Sequence, residues 1–128
     1  MNTSNIILWV AKIVVAFILI QTLYFKFNAH PDSVYIFDQT GLGAAGRIGS
    51  GIAELIISIL ILIPRTAWIG ALGAAGTMAG AIFFHLTSLG IEVNGDGGTL
   101  FIMALIVMAG SLYVLYQSRK EIPILKLA

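Results

Sequence analysis

The chain has 128 residues, 59% of them hydrophobic and 10% charged, with a formal net charge of +1 and a mean hydropathy of +0.98. A soluble domain carries about 25% charged residues, so the deficit places this chain in a bilayer, with room for one domain of about four spans of roughly 20 residues. No basic stripe exists, which excludes nucleic acid as a partner, and the absence of cysteine excludes a disulfide framework, thiol catalysis and cysteine-ligated clusters or zinc.

The first span is expected over residues 5–25. It resembles a secretory leader only in hydropathy: it lacks a basic start, has Lys12 inside the run and shows no small-residue cleavage site before Tyr24-Phe25-Lys26, so it reads as a retained helix. Lys12 is expected to snorkel toward the N-terminal interface, where Trp9 supplies an interfacial aromatic. In the segment 26–46, Pro31 stops a continuous helix and Pro31-Asp32-Ser33 makes a helix start. The apolar run Val34 to Phe37 is too short to span. A short interfacial helix or turn is expected here, leading to a loop at Gly41, Gly43 and Gly46.

The second span, residues 47–63, begins with Arg47 and carries Glu54 before Pro64 ends it. These two charges stand at i and i+7, on one helical face and about 10 Å apart along the axis. A carboxylate at that depth costs several kcal/mol, of order 2–4, unless it is partnered. Pro64-Arg65-Thr66 forms a tight turn, with Trp68 marking the same interface. In the third span, residues 67–89, Gly76 and Gly80 form a GxxxG pair expected to meet another helix closely. Packing within the monomer is favoured there, and a homo-oligomer seam is left open. The connection 90–98 is polar and acidic, with Asp96 and Thr99 as caps for the fourth span, residues 99–116.

Four spans bring both termini to one side, which collects Arg65, Arg119, Lys120 and Lys126. The positive-inside bias then puts the termini in the cytoplasm and the two longer connections outside a cytoplasmic (inner) membrane. Alternating helix direction also brings Lys26, Arg47, Glu54, His85 and Asp96 to one end of the bundle. These five are the candidate binding residues, because intramembrane ionisable groups face the bundle interior and pair. Each has a plainer role open to it: headgroup contact for Arg47, a structural ion pair with Lys26 or Arg47 for Glu54, an interfacial position for His85, helix capping for Asp96. His30, beside Pro31, reads as a loop histidine. No metal site is expected, since two distant histidines and no Glu-x-x-His or His-x-x-x-His spacing give no ligand set. Met78, Met103 and Met108 read as packing rather than copper ligands.

The order Lys26-Phe27, Gly46-Arg47 with Glu54, Ile63-Pro64, Trp68-Ile69-Gly70-Ala71, Met78-Ala79-Gly80-Ala81-Ile82, His85-Leu86 and Asp96-Gly97-Gly98 resembles the DoxX family of small four-helix membrane proteins, from about Leu23 to Tyr116. The resemblance implies an all-α integral membrane four-helix bundle and carries the family's recurring polar positions onto Arg47, Glu54 and His85, with Lys26 and Asp96 beside them. It also implies surroundings of membrane redox enzymes: members look like subunits of quinol oxidases and thiosulfate:quinone oxidoreductases, organisers of oxidative-stress enzymes, and receptor-assembly chaperones. The residues themselves hold no recognisable cofactor ligand, so no cofactor is expected, and a quinone enters as a ligand.

Three functional readings follow. The leading one is a cofactor-free subunit holding a quinone-like or lipid-like amphiphile in its polar half, with lipid and a membrane redox enzyme as partners. The second is an assembly factor acting through helix–helix contacts with another membrane protein. The third is an enzyme of quinone chemistry moving protons through Glu54 and His85. A cavity reaching the polar cluster favours the first, and a filled bundle the second.

Overall fold

A computed structural model describes residues 3–123, and Lys126 lies outside that range. The described residues are helical, without a strand: α1 (Thr3–Phe27), α2 (Pro31–Gln39), α3 (Gly43–Leu62), α4 (Ala67–Phe84) continued by a π-helical turn (His85–Leu89), α5 (Thr99–Gln117) and a 3-10 turn (Arg119–Glu121). Four helices are long and apolar enough to cross a membrane: α1, α3, α5, and α4 with its π turn. The chain is therefore a multi-pass membrane protein. The helices overrun the spans expected from hydropathy by a few residues at several ends, because polar terminal residues such as Thr3, Lys26 and Gln117 continue the backbone ladder.

Composition explains the long elements, and local chemistry explains the breaks. After α1 the chain reverses at Ala29, held at a φ of 52°. His30 then caps α2: its Nδ1 accepts from the Asp32 N–H at 3.2 Å, and Pro31 occupies the first turn, where no N–H is needed. The expected helix start at Pro31-Asp32-Ser33 thus forms, with His30 in a definite role as its cap. Between α3 and α4 the Thr66 hydroxyl donates to the Leu60 carbonyl at 2.8 Å, satisfying an end of α3 that Pro64 leaves open.

The four long helices form a square. α1 packs against α3 and α5, and α4 against the same two, so α1 and α4 are diagonal. The core between them contains Val15, Leu19, Ile57, Ile61, Ala71, Ala74, Val107 and Val114. Ile13, Phe17, Ile56, Leu72, Phe83, Ile102 and Leu112 are exposed on the outer faces, as lipid-facing side chains should be. Lys12 is buried within the bundle, only 4% exposed, with its ammonium 4.4 Å from the centre of the Trp9 ring one turn toward the N-terminus. It reaches in the expected direction but through the bundle.

Lipid is as apolar as leucine, so helix association rests on close packing more than on the hydrophobic effect. Between α4 and α3 the glycines that provide it are Gly70 and Gly73. A β-carbon on Gly70 would lie 2.5 Å from the Ile61 nitrogen and 2.9 Å from the Ile57 carbonyl oxygen of α3, and one on Gly73 would lie 3.0 Å from the Ile57 side chain. The expectation for Gly76 and Gly80 is corrected: both are exposed on α4, with nothing within 4 Å of a β-carbon at either. The spacing i to i+4 puts two glycines on one face, but only the rotation of the helix decides what that face meets. Here the face meeting α3 runs through Gly70 and Gly73.

Candidate functional site

Glu54 lies on α3, 3% exposed. One carboxylate oxygen accepts from the Lys26 ammonium and the other from the Thr22 hydroxyl at 3.2 Å. Thr22 and Lys26 are one turn apart on α1, so both reach the same point on α3. The helices come close there because Gly51 leaves room for the Phe27 ring. The Thr22 oxygen is also 2.8 Å from the Leu19 carbonyl, so its single proton is shared between that carbonyl and the carboxylate. The Lys26 ammonium additionally sits 5.7 Å from the centre of the Phe37 ring on α2.

Arg47 shares the buried stripe with Glu54 but does not pair with it. Its guanidinium donates to the Lys26 carbonyl at the C-terminal end of α1. That carbonyl has no helical partner, and the end of the helix is negative, so the cation closes off α1. Of the two donors expected to face a ligand, Lys26 lines the cavity described below and Arg47 does not.

On the other side of the bundle, the π turn carries His85, 6% exposed. Its Nδ1 is 2.9 Å from the Gly90 carbonyl, where the chain leaves the helix at a φ of 80°. A carbonyl only accepts, so in the neutral ring the proton is on Nδ1 and the lone pair on Nε2. No hydrogen bond engages Nε2 among the described residues. The ring packs edge-on against Phe101 of α5, with centroids 5.4 Å apart. Asp96 fills its expected role as a cap: one oxygen accepts from the N–H of Gly98 at 2.8 Å and of Val93 at 3.0 Å, the other from Leu100 at 3.2 Å. Burial pushes its carboxyl up, but the three backbone hydrogen bonds outweigh that and hold it below the usual aspartate value. Asp96 therefore stays ionised at neutral pH.

Lys26, Glu54, His85 and Asp96 line one cavity of about 550 Å³, within the range of ligand pockets. It lies in the half of the bundle where α1 ends. All four long helices contribute to its wall, and α2 covers it with Ser33, Ile36 and Phe37. Its deeper wall is apolar, with Leu19, Met78, Ala104 and Val107. Thr22, Ser33 and Thr77 also reach the cavity but were not singled out from the sequence. The signal for Thr22 was there, four residues before Lys26. Ser33 carried none, because its burial depends on how two loops fold α2 back over the bundle. No group of three or more potential metal ligands occurs among the described residues.

The model of the DoxX family matches residues 7–87, well over half of the chain. The match takes in Lys26, Arg47, Glu54 and His85 and ends before Asp96 and α5. No curated protein and no solved structure matches the chain.

Proposed function

The chain belongs to the DoxX family, and from that premise we propose that it is a cofactor-free membrane subunit holding a small quinone-like or lipid-like amphiphile in the cavity between its helices. The observation that carries this reading is the cavity itself, apolar below and polar at one end. An amphiphile needs both parts: hydrocarbon against Leu19, Met78 and Val107, and its head among Lys26, Glu54 and His85. A bundle acting only through its outer surface needs no such space. The connection to membrane redox chemistry enters here through the ligand, a quinone being one amphiphile of suitable form.

The test is to fill the space. Ala81→Phe adds a ring at a half-buried position on the α4 wall. The protein, purified in mild detergent and extracted with organic solvent, is expected to release a bound amphiphile detectable by mass spectrometry. The Ala81→Phe variant is expected to fold and to release about tenfold less, a loss of about 1.4 kcal/mol in binding. An undiminished yield from the filled variant would remove the cavity as the binding site.

In this reading the termini face the cytoplasm and the cavity end faces outward, following the basic residues Arg65, Arg119 and Lys120. The natural chain has no cysteine, so a single thiol reports cleanly. Exposed Glu92, replaced as Glu92→Cys, is expected to react with an impermeant maleimide on intact cells. Reaction only after permeabilisation would reverse the orientation.

A further inference from the structure

The amphiphile reading leaves the chemistry of the head open, and two independent features of the site restrict it. The first is charge. Asp32, Asp38, Glu54, Glu92 and Asp96 all lie at the cavity end of the bundle, against Lys26 and Arg47, which leaves that end three charges negative with both histidines neutral. The opposite half holds Lys12, Arg65, Arg119 and Lys120 against Glu121. Helix dipoles do not cancel the imbalance. The starts of α2, α3 and α5 and the ends of α1, α2 and α4 all meet at this level, so their half charges offset one another. Within the cavity wall, Lys26 is already committed to Glu54, while Asp32 and Asp96 add two carboxylates with no ammonium or guanidinium hydrogen-bonded to them.

The second feature is His85. Its ring is more than nine-tenths buried, it lines the cavity, and its proton is fixed on Nδ1 by the Gly90 carbonyl. The remaining nitrogen, Nε2, is an acceptor that no donor among the described residues engages, so it is free to accept from a molecule in the cavity. A ligand that completes it must bring an N–H or O–H. Phe25, Phe37 and Phe84 add aromatic rings to the same wall, and aromatic faces attract cations rather than anions.

Resting on the amphiphile reading, we infer that the head this cavity selects is a positively charged hydrogen-bond donor, a primary ammonium carried on a hydrocarbon tail. The ammonium donates to His85 Nε2 and lies in the field of Asp32 and Asp96, and the tail runs along the apolar wall toward Val107. Carboxylate and phosphate heads are repelled by the same field, and a neutral alcohol satisfies His85 without the charge. A quinone, whose carbonyls only accept, supplies neither the donor nor the charge, so the proposed amphiphile narrows to the lipid-like class.

The experiment uses the full chain in nanodiscs of zwitterionic lipid, with empty discs as the baseline. Four probes share one tail: decylammonium, decyltrimethylammonium, decanol and decanoate, each titrated calorimetrically at neutral pH. Decylammonium is expected to bind about tenfold more tightly than decanol or decanoate, with an advantage that shrinks in high salt. Decyltrimethylammonium, which has the charge but no N–H, is expected to fall below decylammonium. His85→Phe is expected to lower decylammonium binding about tenfold while decyltrimethylammonium changes little, so retained binding of that probe also shows that the variant has folded. Equal or tighter binding of decanol or decanoate overturns the inference and leaves the amphiphile site standing. So does a trimethyl probe that matches the primary ammonium, or a His85→Phe variant that loses every probe equally. If no probe binds above empty discs, the amphiphile reading fails with it.

Discussion

Glu54→Gln is expected to destabilise the bundle by about 2–4 kcal/mol, because it leaves the Lys26 ammonium among helices without its counter-charge. The Lys26 side chain is 15% exposed and that of Glu54 is 4% exposed, so the lysine can relax partly toward the membrane surface, which places the loss toward the lower end for a buried pair. The change propagates beyond one contact. The Lys26 backbone carbonyl is held by Arg47, and Thr22 donates to the same carboxylate, so the end of α1 and the middle of α3 are tied at three points. Lys26→Met combined with Glu54→Gln is expected to recover much of the loss, since an apolar group of similar length needs no partner. Thermal unfolding in detergent for both single variants and the double variant gives the coupling between the two residues. A Glu54→Gln protein as stable as wild type would mean that the pair contributes nothing to the fold, leaving a ligand role for the carboxylate.

The second large effect belongs to Gly70. Gly70→Ala is expected to cost about 3 kcal/mol, at the upper end for overpacking, and to lower the yield of folded protein. Its β-carbon would meet the backbone of α3 at Ile61 and Ile57, and backbone has no rotamer by which to move aside. α4 would have to withdraw from α3, breaking the contact that encloses the core at Ile57, Ala71 and Ala74. Gly76→Ala on the same helix is expected to be neutral or stabilising by up to about 1 kcal/mol, because alanine favours the helix and nothing stands in its way. Comparing the two by thermal shift and size-exclusion profile checks the helix rotation directly. Equal losses at Gly70 and Gly76, with a change in oligomer size, would show that the outer glycine face is also packed.

The same helix rotation controls the cavity. Turning the Gly70–Gly73 face toward α3 puts Thr77, Gly80 and Ala81 on the wall of the space under α2. Small residues there leave room, and the larger Phe84 and His85 close it at the polar end. A bundle with the rotation expected from the GxxxG spacing would have placed that small-residue stretch against a neighbouring helix.

What the sequence by itself determined is the part governed by one-dimensional physics. Hydropathy over runs of about 20 residues defined four crossing helices, because hydrocarbon tolerates only internally bonded backbone. Pro31, Pro64 and the acidic glycine-rich stretch before Thr99 marked the breaks between helices. Strict alternation of direction then brought Lys26, Arg47, Glu54, His85 and Asp96 to one end without any knowledge of packing. Tertiary structure decided the partners. The spacing of Arg47 and Glu54 placed both on one stripe, but the approach of α1 gave Lys26 to Glu54 and sent Arg47 to a helix-end carbonyl. Likewise a glycine pattern names a face, while the rotation that satisfies all four neighbours at once decides whether that face meets a helix or lipid. Whether the polar groups enclose space depended on the path of two loops that carry α2 over the bundle, and local sequence does not encode where a loop comes to rest.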